Sequence, residues 1–100
     1  MTLVELQDLI RAQYGAKDGT RGVAGTFMWF AAEVGELAEA LRGNHPPADV
    51  AAEFADVLAW LATLANIAGV DLGTAVQTKY GGGCPGCHRA PCICDSGEKP

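Results

Sequence analysis

Histidine is scarce in this chain, and cysteine is missing from most of it. The two histidines are His45 and His88, and all four cysteines lie between residues 84 and 94. A di-iron carboxylate bundle built on Glu-x-x-His motifs is therefore excluded, because no histidine falls in the acid-rich segments described below. Basic residues are also few: seven Lys and Arg stand against twelve Asp and Glu, giving a formal net charge of −5. Residues 1–80 hold ten of those acids and five of the bases, so this part carries the whole excess. An acidic surface without basic clusters argues against nucleic-acid binding through phosphate contacts. No basic leader is visible, since Met1 to Leu9 contains Glu5 and Asp8, and no signal peptide is expected. The apolar runs read as too short, or too interrupted by acids, to span a membrane. These absences describe a cytoplasmic protein with no nucleic-acid or membrane partner. Its hundred residues, 49% hydrophobic and rich in alanine, make one domain with a limited core and closely packed helices.

What is present is acid in pairs. Glu33-Val-Gly-Glu36 and Glu53-Phe-Ala-Asp56 each sit inside an apolar, alanine-rich stretch that reads as helix. Residues three apart share a helix face, so each pair points two carboxylates one way. At about 100° per residue, Phe27, Phe30, Val34, Leu37 and Leu41 form one apolar stripe, and Val50, Phe54, Val57, Leu61 and Leu64 another. Glu33 and Glu53 lie roughly 70° off these stripes, and Glu36 and Asp56 roughly 130° off. If the stripes pack together, four carboxylates converge along one edge, where they repel unless cations sit among them. An all-oxygen site prefers a hard cation, so Mg²⁺ or Mn²⁺ is expected. Magnesium commonly binds substrate phosphates as well, which suggests a nucleotide substrate. The plain alternative, acids that merely solvate helix faces, fits one such pair better than two at matching offsets.

Four helices are expected. The first runs from about Leu3 to Tyr14, opened by a Thr2/Glu5 capping box and stopped at Gly15. Residues 15–25 read as a glycine-rich connection. It lacks the Gly-Lys-Ser/Thr ending of a phosphate-binding P-loop. Lys17 or Arg21 could still reach a phosphate from it, against the simpler role of solvated loop residues. The second helix runs from about Thr26 to Arg42. Gly35 lies in its middle at a cost of about 1 kcal/mol relative to alanine, which suggests close approach of another helix or a ligand. Trp29 lies off the stripe and is read as a base-stacking or a dimer-contact residue. The third helix starts near Pro47 and ends at Ala68 before Gly69. On it, Trp60 reads as core rather than base-stacking, and Asn66 as either a base contact or a partner for backbone groups. The fourth runs from Leu72 to Tyr80 behind Asp71, with Lys79 serving the helix dipole or a phosphate.

Beyond Gly81-Gly82-Gly83 the character changes. Cys84-Pro-Gly-Cys87 makes a knuckle for a tetrahedral thiolate site, and Cys92-Ile-Cys94 follows closely. Four thiolates in eleven residues favour one Zn²⁺, with His88 as a substitute ligand. The rivals are a redox dithiol at Cys84/Cys87, disulfides, or a site shared between subunits. Asp95 to Pro100 is expected to be disordered.

The runs AAEVGELAEAL (31–41) and AAEFADVLAWLATLANIAGVDL (51–72) resemble MazG-type nucleotide pyrophosphohydrolases of the all-α NTP pyrophosphatase superfamily. The resemblance covers about residues 1–80, which would form the helical domain, with 81–100 as linker and Cys-rich tail outside the common family core. The family pattern is often EExxE followed by ExxD; here Ala32 replaces the leading Glu. The resemblance implies that Glu33, Glu36, Glu53 and Asp56 ligate Mg²⁺ and serve catalysis, and that Lys79 contacts phosphate. It implies hydrolysis of NTP to NMP and pyrophosphate, and a homodimer or homotetramer that completes the small core. The rival reading is a non-catalytic helical interaction or nucleotide-binding module, stabilised by a zinc-binding tail.

Overall fold

A computed structural model describes residues 1–95 and 97, and among these it contains three α-helices and no strand. They are α1 (Leu3–Arg42), α2 (Pro47–Ala68) and α3 (Leu72–Tyr80). The all-α expectation holds. α1 is two helical arms, 3–21 and 23–42, joined at the non-helical Gly22, so the first two expected helices are both present and differ in their bounds, the first running on to residue 21 and the second starting at 23. The expectation of a disordered end falls partly on residues 96 and 98–100, outside the described residues.

The helix ends follow the local chemistry of the sequence. At the start of α1 the Thr2 N–H donates to Glu5 Oε1 at 2.9 Å and the Glu5 N–H to Thr2 Oγ1 at 3.1 Å, a complete capping box. Pro47 occupies the first turn of α2, where its missing N–H costs nothing. Gly69, at φ 72°, closes that helix in the left-handed conformation. Asp71 Oδ1 accepts the Thr74 N–H at 2.8 Å and opens α3.

The glycine-rich connection does not exist as a loop. Residues 15–21 continue the helix despite the low propensity of Gly15 and Gly19. Local and tertiary contacts outweigh that propensity. The Thr20 hydroxyl donates to Ala16 O, Arg21 pairs with Asp18 one turn back at 3.0 Å, and the Arg21 guanidinium lies 4.8 Å from the centroid of the Trp60 ring on α2. The break comes only at Gly22, with φ 77° and ψ 178°, a region essentially reserved for glycine.

That bend determines what α2 can cover. A straight forty-residue helix would run about 60 Å, whereas the longest dimension of the molecule is 43 Å. With the bend, both arms of α1 reach α2. The first arm is clamped by the buried Gln7, whose Nε2 donates to Asn66 Oδ1 and to Val70 O, while its Oε1 accepts the Leu72 N–H. Asn66 returns a bond to Gln7 O and accepts one from Arg11.

The seam between the second arm and α2 is rotated from the expected stripes. Its less exposed residues are Thr26, Phe30, Glu33, Leu37 and Ala40 on α1, and Val50, Glu53, Val57 and Trp60 on α2. Glu33 and Glu53 thus lie within the seam rather than beside it. Of the expected stripes, Phe30, Leu37, Val50 and Val57 enter the seam, but Phe27, Leu41 and Phe54 are each more than half exposed, and Val34 and Leu61 are also exposed. By length and composition the 22-residue α2 is apolar enough to cross a bilayer, with a mean hydropathy of 1.4 over an 18-residue window, contrary to the expectation from its interrupting acids. Here it packs on α1 with those acids turned into or beside the seam.

Candidate active site

Each expected acid sits on a helix, so its position is fixed by backbone hydrogen bonding rather than by a loop. Glu33 on α1 and Glu53 with Asp56 on α2 bring one carboxylate oxygen each to within 4.8 Å of the others. Glu33 Oε2 and Glu53 Oε2 are buried and have no hydrogen-bond partner. The fourth expected member, Glu36, is exposed and does not belong to this three-oxygen cluster. It lies near enough to Glu33 to affect its charge. Burial, then Glu36, and then the charges of Asp56 and Glu53 push the Glu33 carboxyl above the ordinary glutamate range.

Orphaned buried carboxylate oxygens are costly, at about 1–3 kcal/mol or more each. Among the described residues no Lys or Arg forms an ion pair with Glu33, Glu53 or Asp56. An oxygen-only donor set with two unpartnered oxygens fits a hard divalent cation, which would satisfy both at once.

Asp56 also lines a cleft of about 390 Å³, together with Tyr14, Lys17, Asp18, Arg21 and Trp60. Trp60 stacks on Trp29 with ring centroids 5.8 Å apart and planes 8° from parallel, an offset stack of ordinary geometry. Trp29 itself is 55% exposed. Arg21, expected as a loop residue, is half-buried. Its Nη1 donates to Asp18 Oδ1 and to Thr26 Oγ1, which ties the first arm to the second across the bend. Gly25 makes room for it, since a Cβ there would lie 3.0 Å from Arg21 Cγ. Asp18 is 4% exposed, and its Oδ2 has no partner.

The remaining expected ligand contacts lie elsewhere. Asn66 is engaged in the Gln7 clamp and does not line the cleft. Lys79, at the exposed end of α3, places its Nζ 5.6 Å from the neighbouring Tyr80 ring and also lies outside the cleft. Gly35 meets nothing within 4 Å of where a Cβ would stand, so the close approach expected there does not occur within one chain. Sequence reasoning missed Asp18 as a buried site residue. Its i,i+3 spacing to Arg21 was the available signal, but it is meaningful only once residues 15–21 are known to be helical.

The four tail sulfurs form a second cluster, again within 4.8 Å of one another, and all four cysteines are free. The Ile93 N–H holds the Cys87 thiol down to about 6. Hydrogen bonding with Cys92 and then with the other two thiols pushes Cys94 up to about 12. The cluster could bind a metal.

An all-helical hairpin with facing Glu and Glu/Asp carboxylates beside a cleft defines a helical carboxylate-site protein. The MazG nucleotide pyrophosphohydrolase domain matches residues 22–85, and the chain belongs to this family. The match begins at the bend and includes all four expected acids, both tryptophans and Lys79. It leaves out Asp18, Arg21 and three of the four cysteines. A comparison with curated proteins returned no match.

Proposed function

We propose that this chain is a Mg²⁺-dependent nucleoside triphosphate pyrophosphohydrolase, with Mn²⁺ as an alternative ion. It would convert NTP or dNTP and water to the monophosphate and pyrophosphate, serving nucleotide-pool clean-up in the cytoplasm. The observation that carries this reading is the pair of buried, unpartnered oxygens of Glu33 and Glu53 facing Asp56, inside the segment shared with the family.

On this reading Glu33, Glu53 and Asp56 hold the cation, and Glu36 completes the negative field from its exposed position. A divalent cation there neutralises phosphate charge and lowers the pKa of a bound water. Asp56, common to the cluster and the cleft, sets where the triphosphate must end and the nucleoside begin. Lys17 and Arg21 supply positive charge along the cleft, and Lys79 is retained as a phosphate contact from α3. The indole of Trp60 gives the nucleoside a flat apolar wall. Asp18 Oδ2 accepts a hydrogen bond from a base amino group or a sugar hydroxyl, because a buried acceptor without a partner selects a donor in its ligand.

The exposed apolar residues Phe27, Val34, Leu41, Phe54 and Leu61 support a homodimer or homotetramer in which a second copy covers this face. The test of the reaction is pyrophosphate release over a panel of ordinary and modified NTPs and dNTPs with Mg²⁺. Glu53→Gln is expected to abolish turnover while keeping the helical circular dichroism. No turnover across the panel from folded protein, with Mn²⁺ also tried, would sink the reading.

A further inference from the structure

The tail after α3 has almost nothing to fold around. Between Gly83 and Asp95 its larger apolar side chains are Pro85, Pro91 and Ile93, and Ile93 is 66% exposed. A segment this short with no core is not held by burial. It is nonetheless compact. The Cys84 N–H donates to Arg89 O at 3.0 Å and the His88 N–H to Cys84 O at 2.6 Å. Gly83, at φ 104°, lets the chain close so tightly that a Cβ would lie 3.1–3.2 Å from the backbone of His88 and Arg89. This closure brings the four sulfurs together.

The spacing of those sulfurs is specific. Cys84 Sγ lies 3.8 Å from Cys94 Sγ, and Cys87 Sγ lies 3.9 Å from Cys92 Sγ. A tetrahedron with metal–sulfur bonds of about 2.3 Å has edges of about 3.8 Å. A disulfide would need about 2.05 Å. The two contacts are nested, each joining the Cys84-Pro-Gly-Cys87 turn to the Cys92-Ile-Cys94 run, whereas a redox dithiol would pair Cys84 with Cys87. Backbone donors point at three of the sulfurs. The Gly86 N–H reaches Cys84 Sγ at 3.4 Å, the Ile93 N–H reaches Cys87 Sγ at 3.4 Å, and the Cys94 N–H reaches Cys92 Sγ at 3.3 Å. Hydrogen bonds of this kind favour the thiolate, the form that binds a metal.

We propose that Cys84, Cys87, Cys92 and Cys94 hold one zinc ion in a closed tetrahedral site that folds the tail. Four soft anionic ligands in tetrahedral array select zinc over the hard cation suited to the carboxylates, so the chain carries two metal sites of opposite preference. Four sulfurs leave no open position, so the tail zinc is structural and His88, exposed and outside the cluster, is not a ligand. The site does not depend on the pyrophosphohydrolase reading.

The experiment is elemental analysis of the full chain purified without added zinc. One zinc per chain is expected, unchanged in His88→Ala and in Glu53→Gln. The Cys87→Ser variant is expected to lose the zinc while keeping the helical circular dichroism. Replacement by Co²⁺ should give the absorption of a tetrahedral tetrathiolate complex. Zinc-free protein with four freely titrating thiols would overturn the proposal. So would a mass four hydrogens lighter without reductant, which marks two disulfides, or iron in place of zinc. Loss of zinc in Glu53→Gln would overturn the separation of the two sites.

Discussion

Replacing Gly22 with alanine tests whether the bend in α1 is a requirement of the backbone or an accident of packing. Nothing lies within 4 Å of a Cβ at position 22, so a steric contribution is absent. What remains is conformational. At φ 77° and ψ 178° a residue with a Cβ is strained by about 1–3 kcal/mol, and the loss of chain entropy in the unfolded state returns up to about 1 kcal/mol of that. A net loss of about 1–2 kcal/mol follows, which in urea lowers the midpoint by roughly 0.5–1 M for an m-value near 2 kcal/mol/M. Straightening the helix offers no escape, since it would lift Arg21 from Trp60 and separate the two arms from α2. Gly19→Ala is the matched control. It too meets nothing within 4 Å but is helical, and should gain about 0.5–1 kcal/mol. The assay is urea unfolding at one chain concentration, with metal-activated turnover measured alongside. If Gly22→Ala were as stable as the parent chain, or shifted in the same direction as Gly19→Ala, the account of the bend would be wrong.

Three further outcomes are expected. In magnesium-free buffer the folded state holds the Glu33 proton above the pH at which the unfolded chain releases it, because the folded carboxyl is raised. Stability contributed by Glu33 should therefore fall as pH rises from the ordinary glutamate value through the raised one; Glu33→Gln should remove that slope in a urea-midpoint series, and Mg²⁺ should offset it. Gly35→Ala should stabilise the chain by about 1 kcal/mol, as thermal unfolding would read, since no atom of the same chain opposes a methyl there. If instead the substitution dissociates an oligomer, Gly35 is where a second copy approaches. Phe54→Glu should shift the mass found by light scattering toward the monomer with the helical content unchanged, and an unaltered mass would count against this face as the interface.

Much of the fold was legible because helix ends are local chemistry. Thr2 with Glu5, Pro47, Gly69 and Asp71 marked boundaries that the structure keeps. Three of the four acids were legible for the same reason, since a spacing of three is a statement about one turn of helix, but the spacing did not place Glu36, which is exposed and outside the cluster. Residues 15–21 were misread because their conformation depends on Arg21 meeting Trp60, thirty-nine residues away, and composition carries no trace of that contact. The seam was misplaced for a different reason. The most hydrophobic stripe identifies a face that avoids water, but does not say whether the same chain covers it. In this chain the internal seam includes Glu33 and Glu53, and the bulkier residues Phe27, Leu41 and Phe54 face outward. The cleft around Asp18 needed both arms of α1 in place before any of its residues could be associated.

The chain has two tryptophans, and they are stacked on one another beside the acid cluster, with the guanidinium of Arg21 over one of them. All of its indole emission therefore originates from one place, where the two arms of α1 and α2 meet. The parallel rings should also couple their near-ultraviolet transitions into a paired circular-dichroism signal. A solution of the unlabelled protein can thus report, by its own light, whether a ligand has entered the cleft or the bend has opened.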